Sequence, residues 1–217
     1  MSDPDADSAQ TAQVTGTAPA PQAPVRRLRR AERREQILDA ATRAFARAGY
    51  AATGLDDVAA EAGLTRAMLY RHFESKADLY RAVLDRACLR LAEATGTGVD
   101  DYDESTLPAL VRAASADPDG FRLLFRYAAR EPDFRELIDS ITAASREIAH
   151  RNLAGEIPEG PWLDWAANLI PAFTIEAVIA WLDAGHPDPD HAAERINQAV
   201  HGIMATAQAP AEQRPKP

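Results

Sequence analysis

Apolar residues recur along this chain with the spacing of helices that bury one face. Between residues 30 and 48, Ile37, Leu38, Ala41 and Phe45 share one side of a predicted helix, and Gly49 follows as its stop. No segment shows the sustained alternation of β-branched residues that is typical of strands. The sequence therefore predicts an all-α fold of about nine helices, over residues 30–48, 55–62, 65–72, 76–95, 106–115, 118–129, 132–153, 161–184 and 189–208.

Capping residues and prolines refine some of these boundaries. Ser75 and Asp78 have the spacing of a capping box at the start of the 76–95 helix. Asp188 and Pro189 are expected to cap the last helix. Pro171 lies inside the 161–184 helix, where its ring removes one backbone hydrogen bond, so the sequence predicts a kink there.

The 161–184 helix is apolar on two sides, which is unusual for a surface helix. Such a helix is either deeply buried or packed against another chain. One side carries Trp162, Trp165, Leu169 and Phe173, and the other carries Ile175, Val178, Ile179 and Leu182.

Composition narrows the class of protein. Of the 217 residues, 46% are hydrophobic, and the single cysteine, Cys88, excludes an intramolecular disulfide and CxxC metal sites. No apolar run approaches the roughly 18 residues of a membrane span, and the N-terminus has no signal-peptide pattern. We therefore expect a cytoplasmic protein with no membrane partner. Residues 1–25 are expected to be a disordered extension, and residues 209–217 a flexible tail.

Charge is distributed unevenly along the chain. The net charge is −9, which by itself argues against a nucleic-acid partner. Between Arg26 and Arg90, however, fourteen Arg and Lys residues stand against nine Asp and Glu, whereas the remainder has ten basic and twenty-four acidic residues. Such asymmetry indicates a two-part molecule with one end that faces a polyanion. The cluster Arg26–Arg30 is equally consistent with an arm that enters a minor groove and with a solvated basic tail.

The segment from Leu55 to Lys76 has the pattern of a helix-turn-helix, in which a tight turn at Gly63 joins two short helices. The N-terminal end of the second helix is expected to meet base edges in the major groove, and nearby donors are placed to reach phosphates. The base-facing residues are Thr65, Arg66, Ala67 and Met68. The phosphate-facing residues are Tyr70, His72 and Lys76, and we assign Thr53 and Arg71 to the same DNA-binding surface.

Residues 33–80 resemble the tetracycline-repressor (TetR) family of bacterial transcription regulators. Two positions differ from the family's usual pattern: Gly54 replaces a Ser or Thr helix cap, and Ala67 replaces a glycine that lets the recognition helix approach DNA closely. The matching residues are Gly49-Tyr50, Thr53, Val58-Ala59, Ala62-Gly63, Leu69-Tyr70, His72-Phe73, Lys76 and Leu79.

The resemblance implies a three-helix DNA-binding domain over residues 26–75 and a helical ligand-binding and dimerisation domain over residues 76–208. It also implies a homodimer through the last two helices, a double-stranded operator with palindromic symmetry, and an unidentified small-molecule effector. In the family, a bound effector moves the helix that starts here after Ser75, and DNA is released. On this basis we expect a ligand-responsive repressor that is not an enzyme.

Other readings remain open from the sequence. The chain could be an activator or a ligand-independent repressor, or a helical ligand-binding protein or enzyme without specific DNA binding. No catalytic constellation stands out, no cofactor is expected, and His186, Asp188, Asp190 and His191 fit a helix cap better than a metal site. Several aromatic residues could line a cavity, fill the core or form a dimer interface: Phe121, Phe125, Tyr127, Phe134, Trp162, Trp165, Phe173 and Trp181.

Overall fold

The computed structural model describes residues 30–96 and 103–209. Within these residues the fold is all-α, with nine α-helices and no strand, as the sequence predicts. The predictions for residues 1–25, the arm at Arg26–Arg30 apart from its last residue, and the tail after residue 209 lie outside the described residues. The helices are α1 (Arg30–Ala52), α2 (Leu55–Glu61), α3 (Arg66–Tyr70), α4 (Lys76–Thr95), α5 (Thr106–Ala116), α6 (Pro118–Arg122), α7 (Arg135–Leu153), α8 (Pro161–Asp183) and α9 (Ala192–Gln208).

Local hydrogen bonds explain where the first helices begin and end. Gly49 has a φ of 79°, a left-handed conformation that interrupts α1 one turn before Ala52, close to the predicted stop. The Gly54 N–H, at the start of α2, donates to Asp57 Oδ2 at 2.7 Å. At the start of α3, the Thr65 hydroxyl accepts from the Met68 N–H at 3.4 Å. α3 is shorter than predicted: it ends at Tyr70, whereas the predicted helix extends to residue 72.

The predicted helix over residues 118–129 is wrong in its second half. α6 ends at Arg122 and continues as one π-helical turn, Leu123–Tyr127, and a 3₁₀ turn, Ala128–Arg130. A further 3₁₀ turn, Pro132–Phe134, precedes α7. Glu131 adopts an extended conformation, because the ring of the following Pro132 disfavours the helical region for the residue before it. The break before residue 132 could therefore be predicted from the sequence. The π-helical turn could not.

Two predicted caps differ from the observed ones. Ser75 accepts from the Asp78 N–H at 3.0 Å as predicted, but the Asp78 carboxylate accepts from the Glu74 N–H, one residue before the expected donor. Asp188 does not cap α9, because its φ of 49° lies outside the extended region of an N-cap residue. Its carboxylate instead pairs with His191 and Arg195, and α9 begins at Ala192.

α8 is a single helix with Pro171 inside it, and the predicted kink stays a prediction. Asp164 and Glu176 interrupt α8, so it contains no apolar run near 18 residues, yet by length and composition it is apolar enough to cross a membrane. The reason is that only Asp164, Glu176 and Asp183 carry charge along its 23 residues. Core helices of soluble proteins pass the same test, and α8 contributes buried residues to two hydrophobic clusters, one with α5, α6 and α9 and one with α7 and α9.

The core of α1–α4 extends beyond these helices. Leu123, Leu124 and Phe134, from the irregular segment before α7, are buried in the same cluster as α1 and α4. The Tyr80 ring lies at the centre of this cluster, 4.9 Å from the Phe45 ring and 4.7 Å from the Phe134 ring. The division of the chain near residue 75 stays a prediction, and the hydrophobic core is continuous across that position.

Candidate nucleic-acid interface

The turn between α2 and α3 fixes the angle at which α3 is presented. Gly63 takes a φ of 64°, which its lack of a side chain permits, and the Leu64 N–H donates to the Ala59 carbonyl at 2.8 Å. Val58, Ala59 and Leu69 are buried beneath the turn. These residues form a small core under α2 and α3, and it leaves one face of α3 free.

The free face of α3 carries most of the predicted DNA contacts. Met68 and His72 are half-buried, and the remaining residues on and beside the helix are exposed to solvent. The exposed residues are Thr65, Arg66, Ala67, Tyr70 and Arg71. Because these side chains are exposed at and beside the N-terminal end of α3, they can reach the base edges and phosphates of a duplex.

Arg66 and Tyr70 form one unit on this face. The Arg66 guanidinium donates to the Tyr70 hydroxyl at 3.1 Å and lies 5.5 Å from the centre of that ring. It also pairs with Asp56 Oδ2 at 2.9 Å. The Tyr70 hydrogen bond, together with the charge of Asp56, raises the pKa of Arg66, so the side chain is fully cationic. An anion that approaches this unit competes with Asp56 for the guanidinium.

A basic patch borders α3 at the start of α1. Burial lowers the pKa of His72, and the positive charges of Arg30, Arg71, Arg34 and Arg33 lower it further. Arg30, Arg34 and Arg71 are exposed and Arg33 is half-buried, so these residues add positive charge to the surface near the His72 ring. Sequence reasoning missed Arg33 and Arg34, although their spacing from Arg30 places all three on one face of a helix.

Two predicted site residues have structural roles in addition to any contact with DNA. The Lys76 ammonium donates to the Tyr50 carbonyl at 2.9 Å and lies 4.4 Å from the centre of the Tyr50 ring. The Thr53 side chain is buried, and its hydroxyl donates to the Gly49 carbonyl at 2.7 Å. Both residues fix the C-terminal end of α1, and the Thr53 hydroxyl does not reach the surface.

Far from α3, a cavity of about 320 Å³ lies between α4, α5, α7, α8 and α9. Phe125, from the π-helical turn, lines this cavity, so at least one of the aromatic residues singled out in the sequence faces a cavity. Phe134 and Trp181 are buried in cores instead, and Trp162 and Trp165 are exposed on α8. In the described parts of the chain, no cluster of His, Cys, Asp and Glu has the arrangement of a metal site.

Comparison with known proteins agrees with this arrangement. Residues 37–83 match the family described as bacterial regulatory proteins, tetR family. The chain is 31% identical over 191 residues to the HTH-type transcriptional activator FasR of Mycolicibacterium smegmatis, covering 82% of this chain and 86% of FasR. It is 52% identical over 54 residues to the HTH-type transcriptional regulator TtgR of Pseudomonas putida, covering 25% of this chain and 26% of TtgR.

The fold is also that of a solved regulator. A TetR-like transcriptional regulator from Rhodococcus sp. RHA1 superposes with a TM-score of 0.70 at 24% identity, covering 82% of this chain and 99% of that one. These relatives regulate transcription and are not enzymes. The helix-turn-helix, the all-helical remainder and the similarity to FasR over most of both chains lead to one conclusion: the chain belongs to the TetR family of bacterial transcriptional regulators.

Proposed function

We propose that this protein is a dimeric, ligand-responsive repressor that binds a palindromic operator and is released from it by a small molecule. The observation that carries the proposal is the exposed face of α3, where the Arg66–Tyr70 unit lies beside a patch of four arginines. Regulators of this family are soluble DNA-binding proteins that bind operators, usually as dimers, and respond to small-molecule effectors. We infer that this one acts in the cytoplasm.

Within the interface, we assign sequence reading to Arg66 and the residues beside it at the start of α3. Arginine can donate two hydrogen bonds to a guanine edge, and the exposed Ala67 methyl can contact a thymine methyl. We assign phosphate contacts to Tyr70, Arg71 and His72, which position the protein without selecting a sequence. Thr65 and Met68 complete the base-facing group, and Lys76 adds positive charge at the start of α4 while it holds α1 in place.

The surface of α8 and α9 supports dimerisation through the last two helices. Trp162 and Trp165 are 51% and 38% exposed, and their rings meet edge to face at 5.5 Å. Large exposed aromatic residues on one helix are typical of a surface that another chain covers. A two-fold dimer carries two copies of α3 related by the same symmetry as the two half-sites of a palindrome.

The cavity and the π-helical turn support regulation by a ligand. Phe125 lines the cavity, while Leu123 and Leu124 of the same turn are buried against α1 and α4. Arg126, also in this turn, pairs with Asp183 at 2.6 Å and so ties the turn to α8. A ligand that displaces the Phe125 ring can therefore shift the residues that support the DNA-binding helices. Coupling energies between such sites are typically about 1–3 kcal/mol.

The similarity to FasR favours a second candidate function. FasR is a transcriptional activator and aligns with most of this chain, including the region beyond the helix-turn-helix. Activation uses the same DNA-binding face, so the two candidates differ in where the operator lies relative to the promoter. In vitro transcription from the natural promoter separates them, because added protein lowers transcript yield in one case and raises it in the other.

The DNA-binding proposal is tested by selecting bound sequences from a random duplex pool at physiological salt. We expect a palindromic consensus and an affinity that falls steeply with salt as counterions are released. Arg66→Ala should weaken binding and relax the preference at the bases that it contacts, whereas Tyr70→Phe should weaken binding to all sequences similarly. Arg112→Ala, an exposed arginine on α5, is the matched control and should change neither. Folded, dimeric protein that enriches no sequence would contradict the proposal.

A further inference from the structure

The walls of the cavity are mainly hydrocarbon. Leucine and isoleucine side chains from four helices line it together with the Phe125 ring, and its volume is about 320 Å³. Such a volume and lining suit a small apolar molecule, because transfer of its surface from water into this space is favourable. The apolar lining includes Leu91, Leu107, Leu110, Phe125, Ile141 and Ile175.

The cavity offers nothing that would neutralise a negatively charged ligand. Among the lining residues that the structure describes, there is no Lys, Arg or His, and Asp103 contributes the one charge. The Asp103 carboxylate accepts hydrogen bonds from the Ser105 hydroxyl at 2.6 Å and from the Ser105 N–H at 2.8 Å. Asp103 is exposed to solvent, so the apolar interior offers no charged partner to an anion or a cation, and either ion would lose hydration there without compensation.

Some polar groups in the wall have no protein partner. The Thr174 hydroxyl on α8 and the Ser145 hydroxyl on α7 line the cavity and make no hydrogen bond to another described residue. The Thr95 hydroxyl also lines the cavity, but it donates to the Leu91 carbonyl at 2.9 Å. Thr174 and Ser145 are thus the hydroxyls available to an uncharged polar group such as an alcohol or a carbonyl.

We propose that the part of the effector held in this cavity is uncharged and mainly apolar, with a hydroxyl or carbonyl group that bonds to the Thr174 hydroxyl. The inference rests on the proposed role of the cavity as the effector site. It deepens that role by excluding carboxylates, phosphates and ammonium groups from the interior. Thr174 then acts as a specificity residue for the neutral polar group of the ligand.

The charge preference is tested with three ligands that share one tail. N-phenyl-1-naphthylamine, an uncharged fluorescent probe, is bound to the full chain and displaced by 1-decanol, decanoate or decylammonium at about pH 8. Salt at about 0.3 M screens the negative charge of the whole protein, so that long-range repulsion does not mimic selectivity. We expect decanol to displace the probe at least about tenfold more tightly than either ion, because the ions lose their hydration without compensation. Equal displacement by decanoate or decylammonium would overturn the proposal.

Two variants locate the binding and assign the hydroxyl. Ser145→Phe fills the cavity and should abolish probe binding, while circular dichroism verifies that the variant is folded. Thr174→Val should weaken decanol by about threefold to tenfold, which corresponds to one lost hydrogen bond. Thr95→Val is the matched control, because its hydroxyl already bonds within α4, and it should leave decanol binding unchanged. Unaltered probe binding by Ser145→Phe, or equal effects of the two valine variants, would contradict the assignment.

Release of DNA is measured separately from ligand binding. If decanol binds in the cavity but leaves operator affinity unchanged, the chemical preference of the cavity stands and its role as the effector site falls. If decanol does not displace the probe, the chemical preference is wrong whatever happens to DNA binding. The two failures are therefore distinguishable within one set of protein samples.

Discussion

The two exposed surfaces of this molecule carry opposite chemistry. Around α3 and the start of α1, the exposed side chains include Arg30, Arg34, Arg66 and Arg71. On α8 the large apolar side chains that are exposed are Trp162 and Trp165. Charged contacts are sensitive to salt and readily reversed, whereas apolar burial holds its partner more permanently. One surface is therefore suited to a partner that must be released, and the other to a partner that stays bound.

The two regions are nevertheless joined by one core. Phe134 lies beyond the regular helices of the DNA-binding end, yet its ring packs 4.7 Å from the Tyr80 ring and 5.5 Å from the Tyr50 ring. Arg81 also places its guanidinium 5.5 Å from the centre of the Phe134 ring. If this contact unites the two regions, its loss should affect the whole molecule rather than one end.

The largest expected effect is that of Phe134→Ala. The side chain is 2% exposed, and removal of a buried phenylalanine typically lowers the free energy of unfolding by about 3–5 kcal/mol. Phe173→Ala, at a half-buried position of α8, should cost less than half as much. Both are measured by urea denaturation at one fixed protein concentration, because dimerisation also contributes to stability. Similar losses in the two variants would mean that Phe134 has no special place in the joint core.

The next largest effect on the free energy of unfolding is expected from an ion-pair group between α4 and α1. The Arg86 side chain is 10% exposed and donates to Asp39 at 2.7 Å and to the Thr42 hydroxyl at 2.8 Å. Arg86→Ala should lower the free energy of unfolding by about 2 kcal/mol, since it leaves these partners without their charged donor. The neighbouring Arg90 pairs with Asp117 at 2.9 Å but is 45% exposed, so Arg90→Ala should cost at most about 1 kcal/mol. Thermal unfolding of the two variants compares them, and a greater loss for Arg90 would contradict the role of burial.

The two regions also differ in how far the sequence predicts them. The apolar pattern and glycines of α1–α3 are local features, so the turn at Gly63 and the exposed Arg66 could be predicted from neighbouring residues. The π-helical turn around Phe125 depends on contacts with α4 and α8, which no local pattern reveals. The burial of the Thr53 hydroxyl was missed for a different reason: its acceptor, the Gly49 carbonyl, is only four residues away, but it becomes available because α1 is interrupted at that glycine.

The basic surface predicts a pH effect on DNA binding. Burial and neighbouring arginines hold the pKa of His72 below its usual value, so the free protein carries a neutral ring at pH 7. A phosphate beside the ring raises that pKa, and binding is then coupled to uptake of a proton. Operator affinity should therefore rise as the pH falls toward 6, by no more than about tenfold per pH unit for one proton. Fluorescence anisotropy measures this, and an unchanged pH dependence in His72→Asn would remove His72 from the interface.

The smallest expected effect lies at the start of α9, away from the DNA-binding face. A hydrogen bond to the Asp188 carboxylate raises the pKa of His191, with the two side chains 2.8 Å apart. A raised pKa means that the folded state binds the proton more tightly than the unfolded state does. The contribution to stability is therefore complete below the unfolded pKa of about 6.5 and is lost as the pH rises through the higher folded value.

His191→Asn should consequently lower the melting temperature slightly at about pH 5.5 and leave it unchanged at about pH 8.5. Glu159→Gln, at an exposed acidic residue that is not among those that raise the pKa of His191, is the control and should show no such difference. Because both partners are exposed, solvent screens the pair and the shift should be at most a few degrees. A larger loss at the higher pH would reverse the sign and show that the neutral ring, rather than the ion pair, stabilises the turn between α8 and α9.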